Sequence, residues 1–382
     1  MDPFADIRPY HDQEVPQVIS RLLSDPELLG AITRLKFNYL PGVMRFLLRP
    51  LARRALHREL AGVQDVASLQ ALVAAYMLRM INDSTAGLSV SGLEHLQTHQ
   101  PYLYISNHRD IVLDPAFTNY ALYQHRHETV RIAIGDNLLT KPYVADLMRL
   151  NKSFIVNRSA TAPRQVLQAY RNLSTYIRHS IFEDRAPVWI AQREGRAKDG
   201  MDRTEPAIIK MLAMSKGRGL GFGEYIAALN IVPVAISYEL DPCDGLKASE
   251  LYQAALQGSY QKAEHEDIDS IATGITGAKG GVHVAFGKPL GAELDNPAAV
   301  AQALDRQIIN NYALHGTNIF AFRSLHGAGS PLPANYASAA SSCSEEEFLS
   351  RIEKLPSEHR SYALEIYANA VTSKFQYAAA RN

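Results

Sequence analysis

At 382 residues and 47% hydrophobic content, the chain is long enough for a sizeable buried core, as one α/β domain with appendages or as two domains. Its 39 basic residues balance its 39 acidic ones, which argues against a general nucleic-acid binder. The two cysteines, Cys243 and Cys343, sit in no metal or redox spacing and fit a reducing compartment.

The start, Met-Asp-Pro-Phe-Ala-Asp, is acidic and lacks the apolar core of a secretory signal. No uninterrupted apolar run approaches the ~20 residues that span a bilayer. The expectation is a cytoplasmic protein that does not cross a membrane, although it could lie on one.

Residues 15–82 read as helical, with apolar residues at three- and four-residue spacings. Within them, Met44, Leu47, Leu48, Leu51 and Ala55 share one helical face, while Arg45, Arg49 and Arg53 share another, continued by His57. A basic amphipathic helix near 44–60 suits an anionic membrane surface; the alternative is ordinary packing on its own domain. Pro50 is expected to kink it, and Arg58 falls back near the apolar side.

From about residue 98 short apolar strands alternate with helical stretches. Strands are expected at 102–106, 130–134, 153–157, 187–191, 231–237 and 281–286. Helices are expected near 115–126, 138–150, 161–183, 204–216 and 247–264. Such alternation indicates an α/β fold with a mostly parallel sheet flanked by helices. Thr204 suits an N-cap with Pro206 in the first turn, and Gly217 and Gly219 supply the stop. The tract Gly274–Gly281 lacks the Gly-Lys-Ser/Thr ending of a phosphate loop and precedes a strand, so it reads as a connector. Beyond 290 the chain is helical and Ala-rich, broken by a loop at 326–343, and Ser344 with Glu347 forms a capping-box pattern. This tail carries no chemical motif, and no internal repeat is present.

Four clusters at or just beyond predicted strand ends carry the chemistry. The first is Asn107-His108-Arg109-Asp110, with Asp114 beyond. Strand ends are where an α/β fold exposes reactive side chains, and a histidine beside a carboxylate can take a proton from a hydroxyl. The second, Ser153-Phe154-Ile155-Val156-Asn157-Arg158, is an apolar strand ending in an arginine, or merely in a solvent-facing charge. The third runs from Gln192 to Gly200 and gathers Arg193, Arg196 and Lys198 around a Glu194-Gly195 turn. It suits a phosphate, or else is a polar surface turn. The fourth, Ile231-Val232-Pro233-Val234-Ala235-Ile236, carries a proline that implies an edge or a strand end, and so a site wall.

These clusters, in this order over about residues 85–290, resemble the four sequence blocks of the glycerolipid acyltransferase family, which includes glycerol-3-phosphate and 1-acylglycerol-3-phosphate acyltransferases. The resemblance implies a helical N-terminal region over 1–84, an acyltransferase domain over 85–290 and a helical C-terminal extension over 291–382. It also implies acyl transfer from acyl-CoA or acyl-carrier protein to a hydroxyl of glycerol 3-phosphate or 1-acylglycerol 3-phosphate, with no metal and no bound cofactor. His108 would be the general base, oriented by an aspartate. Arg158, Glu194, Gly195 and Arg196, helped by Lys198, would hold the acceptor phosphate, and Val232 and Pro233 would line the site. The partners implied are a thioester donor, a phosphorylated glycerol or lysolipid acceptor and the anionic cytoplasmic face of a membrane, with no nucleic acid.

The chain departs from the family pattern in three places. The family aspartate follows the histidine by five positions, where this chain has Leu113; Asp114 lies at six and Asp110 at two. Side chains alternate along a strand and turn by about 100° per residue on a helix, so a one-residue slip matters. A bulge or looser turn would return Asp114 to the histidine; otherwise Asp110 serves at short range. Asp114 is preferred, because it begins the Asp-Pro that opens the next helix. Second, Arg193 stands before Glu-Gly in place of proline or an apolar residue. Third, the terminal regions exceed a minimal catalytic domain. These departures keep two alternatives open: another lysophospholipid or aminolipid acceptor, and a membrane-surface binding protein on a disused scaffold.

Overall fold

The computed structural model describes residues 2–37, 41–263, 266–333 and 341–379. Its strands are β1 (Gly87–Ser91), β2 (Leu103–Ser106), β3 (Arg131–Gly135), β4 (Ser153–Val156), β5 (Val188–Ala191), β6 (Ile231–Tyr238) and β7 (Gly281–Phe286). Strands β2 to β7 arise from the six expected apolar runs. β1 escapes that reading because two of its five residues are serines and none is buried.

The chain divides into two compact units that interleave in sequence: Met1–Tyr76 with Arg131–Ala169, and Met77–Val130 with Tyr170–Asn382. This differs from the three consecutive segments expected at 1–84, 85–290 and 291–382, and the reason lies in the cores. In the smaller unit Val15, Val18, Ile19, Leu22, Leu28, Val63 and Leu69 pack with Leu150, which follows β3 by fifteen residues. Asp146 fastens the same segment, accepting from Tyr10 Oη at 2.6 Å and from Arg21 Nε and Nη2 at 2.7 Å each. β3 and β4 pair in parallel within this unit.

The helix expected near 44–60 is two helices, Gly42–Leu47 and Arg49–Leu60, meeting at Leu48. Pro50 falls in the first turn of the second, where its missing N–H costs nothing, so it starts a helix instead of kinking one. Ala52 is buried and Leu56 and Leu60 pack inward, whereas Met44, Phe46, Leu47 and Leu51 are exposed. No helix among the described residues is long and apolar enough to cross a membrane.

In the larger unit the strands lie in the order β1-β7-β6-β2-β5. β2 pairs in parallel with β5 and β6, β1 pairs in parallel with β7, and β6 with β7 is the antiparallel exception. The architecture is therefore the expected α/β class, a mostly parallel sheet with helices on it. All eight residues of β6 are buried, as a strand covered on both faces requires. The C-terminal helices supply that cover: Ala235 and Ala285 pack with Ile308, Leu314, Phe348, Tyr367 and Val371.

Three local expectations need correction. Pro233 does not mark an edge, because β6 lies between β2 and β7. It is tolerated because the β7 ladder stops at Val234 opposite Phe286, and Pro233 only accepts, from Gly287 N at 2.8 Å. Thr204 does not cap a helix: its hydroxyl donates to Asp305 Oδ1 at 2.6 Å, and the helix Pro206–Leu212 begins after Glu205. The Gly274–Gly281 connector holds more structure than expected. Gly274 sits inside the helix Glu266–Thr276, and the buried Lys279 ammonium closes that helix by donating to the carbonyls of Ile275 and Gly277. Ser344 and Glu347 do form the expected capping box; residues 334–340 of the loop before it lie outside the described residues.

Candidate active site

β2 ends at Ser106, and the next residues turn out of the sheet beside the end of β6. Asn107 stands in for the ladder there: its side chain accepts from Ile236 N at 2.8 Å and donates to Ile236 O at 3.0 Å. This amide clamp ends the strand in a fixed orientation and delivers His108 at its rim.

His108 Nδ1 lies 2.9 Å from Asp114 Oδ2, and Asp114 has no solvent exposure. The same oxygen accepts the backbone amides of Arg109 at 2.6 Å and Asp110 at 2.9 Å, while Oδ1 accepts the Tyr238 hydroxyl at 2.7 Å. A buried carboxylate met by so many donors is held in one orientation. It selects the tautomer that carries the proton on Nδ1, which leaves Nε2 as a lone-pair acceptor. The ring also stands edge-on to Trp189 of β5, with centroids 6.0 Å apart.

The six-residue spacing is absorbed in the turn between them. Asp110 Oδ1 accepts from Val112 N at 2.9 Å and Leu113 N at 2.8 Å, which starts the helix Leu113–Gln124 with Asp114 in its first turn. Burial and the nearby charge of Asp114 push the Asp110 carboxyl upward. Arg109 points inward, donating to Gly200 O at 3.0 Å and Asp202 Oδ2 at 2.6 Å. Burial opposes its charge, but Asp202 more than offsets this and pushes the guanidinium pKa up. Lys247, also buried, donates to Arg109 O at 2.7 Å and pairs with Asp241.

Residues 87–237 match the protein-family model described as Acyltransferase. The matched stretch takes in all four clusters, and it draws on both compact units. No curated protein sequence matches the chain. Among solved structures, one similar chain is the 1-acyl-sn-glycerophosphate (LPA) acyltransferase PlsC from Thermotoga maritima, at 12% identity and a TM-score of 0.37 over 66% of this chain and 83% of that one. A likeness so loose has no bearing on substrate.

Within the larger unit the first and third clusters meet. Ala197 N donates to His108 O at 2.8 Å, and Gly195 makes the turn with φ near 73°. Glu194 and Gly195 are exposed, whereas Arg196 is buried, with Nη2 3.4 Å from Ser270 Oγ and Nη1 buried without a hydrogen-bond partner among the described residues. Lys198 is engaged by Glu250 and lies 5.9 Å from the centre of the Tyr260 ring. Arg193 approaches Glu205 at 3.9 Å. The fourth cluster contributes from its far end: Pro233 is buried in register with Ile105, three residues before His108, while Tyr238 reaches Asp114. Arg158 belongs to the other compact unit, where its backbone N–H donates to Asp136 Oδ1 at 3.0 Å and its side chain runs along Gly135.

Three residues of this constellation go unnoticed in the sequence. Tyr238 ends the fourth apolar strand, and the rule that strand ends carry the chemistry points to it. Asp202 sits just past the Glu-Gly turn, an acidic residue with no motif around it. Lys247 carries no local signal at all. Among the described residues no group of three or more His, Cys, Asp or Glu could hold a metal ion.

Proposed function

We propose that the chain transfers a fatty acyl group from an acyl-CoA or acyl-carrier-protein thioester to a hydroxyl of glycerol 3-phosphate or 1-acylglycerol 3-phosphate, with His108 as general base. The observation that carries this reading is the 2.9 Å contact from His108 Nδ1 to a fully buried Asp114. Nε2 draws the proton from the acceptor hydroxyl as its oxygen attacks the thioester carbonyl. The tetrahedral adduct collapses, the C–S bond breaks, and the imidazolium returns its proton to the departing thiolate. Asp114 steadies the imidazolium without itself taking the proton. The thioester is already activated, so positioning supplies much of the acceleration and no covalent enzyme intermediate is needed.

The buried, half-partnered Arg196 supports a phosphate on the acceptor, since an unpaired guanidinium N–H favours an anionic oxygen. Glu194, Gly195, Arg193 and Lys198 remain the other candidate contacts of this loop, Arg158 is a candidate within its own unit, and Val232 and Pro233 are candidate lining residues. The engagement of Lys198 by Glu250 favours a second reading, a lysophospholipid or aminolipid acceptor that places less charge on this loop. The exposed Met44, Phe46, Leu47 and Leu51 beside Arg53, Arg54 and Arg58 would rest the smaller unit on the anionic cytoplasmic face of a membrane.

Purified protein given labelled acyl-CoA or acyl-carrier protein, with each acceptor in turn, tests the reaction. The expected result is ester formation that His108→Ala lowers by at least about 100-fold. Equal rates for the two proteins would rule out the histidine chemistry, and a phosphate-free acceptor outcompeting both glycerol phosphates would move the assignment to the second reading.

A further inference from the structure

The carboxylate that orients His108 is held from two sides, and the two differ in origin. Oδ2 takes His108 Nδ1 and the amides of Arg109 and Asp110, all within six residues of Asp114. Among the described residues Oδ1 takes one donor, the Tyr238 hydroxyl at 2.7 Å, from a residue 124 positions away that is the last of β6. A carboxylate fixed at one oxygen can still twist about its Cβ–Cγ bond, and twisting swings the Oδ2 lone pairs away from the imidazole. A donor on the second oxygen removes that freedom.

We propose that Tyr238 is a positioning residue for the acyl-transfer site, its hydroxyl holding the Asp114 carboxylate so that Oδ2 meets His108 Nδ1. The inference rests on the reading of His108 as the general base. Tyr238 is suited to the task because it is itself immobile. It is buried, its strand pairs it with Val282, and its ring meets Phe117 edge-on at 5.8 Å. Burial and the charge of Asp114 hold the phenol far above its usual pKa, so it stays a donor. His108 lies outside the helix that carries Asp114, so only the turn at 109–112 joins the two in sequence. An anchor from β6 fixes the carboxylate independently of how the turn between them is wound.

The test is Tyr238→Phe beside His108→Ala, in the full chain, with acyl-CoA and 1-acylglycerol 3-phosphate. The ring packing survives this change and only the hydroxyl is lost. The expected result is a kcat lower by about tenfold with both KM values within about twofold of wild type, at unchanged circular dichroism. A second readout needs no activity: in protein labelled with 15N-histidine, the Nδ1–H resonance that disappears in His108→Ala is expected to shift in Tyr238→Phe. A purely structural role would lower the melting temperature and leave kcat unmoved. Wild-type kcat in Tyr238→Phe while His108→Ala is inactive would overturn the positioning role alone. If His108→Ala were fully active, the base reading itself would fall, and an unmoved resonance would then overturn the positioning role on its own.

Discussion

Asp114 accepts hydrogen bonds from a ring nitrogen, two backbone amides and a phenol, on a side chain with no solvent exposure. Asp114→Asn keeps that shape but removes the charge that steadies an imidazolium. Its activity is expected to fall by at least about 100-fold with little change in KM, which steady-state kinetics would show. Asp202 is a different case, because it balances Arg109 and receives the Asn107 amide at 3.2 Å, away from the chemistry. Asp202→Ala strands a buried guanidinium, and urea unfolding is expected to show a loss of about 3–5 kcal/mol. His315 gives a pH signature. It is buried with Nδ1 unpartnered, and burial pushes its pKa down to about 4, against a smaller upward pull from Glu239. The unfolded chain therefore binds the proton first, so the stability this ring contributes is full above pH 6.5 and drains as pH falls toward 4. Between pH 6.5 and 5 the wild type should lose about 2 kcal/mol more than His315→Gln, measured by denaturant titration at both pH values. At this scale the sequence was informative about which residue types gather, since His108, Asp114 and Arg196 sit where apolar runs end. It was silent on Asp202 and Lys247, whose contacts with Asn107 and with the Arg109 carbonyl span 95 and 138 residues, a distance no local pattern encodes.

Among the elements, the six apolar strands were legible because burial, complete in β2 and β6, favours short runs of apolar, β-branched and aromatic residues. What escaped was structure that breaks those habits. β1 is built on serine, Pro233 sits on an inner strand where the neighbouring ladder happens to end, and the helix Glu266–Thr276 hides behind Gly274. Gly274 is there because a Cβ would lie 2.2 Å from Asp110 Oδ2. Gly274→Ala should drive that carboxylate off the amides of Val112 and Leu113 and loosen the turn that carries Asp114. The expected outcome is a stability loss of about 1–3 kcal/mol in urea unfolding, with acyl transfer reduced in the fraction that remains folded.

For the whole molecule, each compact unit draws on separated stretches of chain, so neither was legible as a run of sequence. The smaller one borrows 131–169 to finish a core begun by residues 15–69, and the larger one takes its C-terminal helices into the same core as β6 and β7. Met44, Phe46, Leu47 and Leu51 of the helices Gly42–Leu47 and Arg49–Leu60 are exposed and join no core among the described residues. If they rest on a membrane, Leu47→Ser with Leu51→Ser should reduce co-sedimentation with anionic vesicles by about tenfold or more, since each leucine removes ~1.5–3 kcal/mol of apolar transfer. Binding that survives in the double variant and does not weaken with salt would argue against this surface.

The position of β2 between β5 and β6 has a consequence for how the protein is made. Both neighbours lie downstream, so when Ser106 leaves the ribosome neither strand that will cover it exists. At synthesis rates of about 5–20 residues per second, β5 follows after roughly 4–16 s and β6 later still. For that interval a strand of Leu103, Tyr104, Ile105 and Ser106, two residues before His108, waits with both edges open. The nascent chain is therefore a natural client for holding chaperones, and slowing translation between codons 107 and 231 is expected to raise aggregation more than slowing it after codon 290.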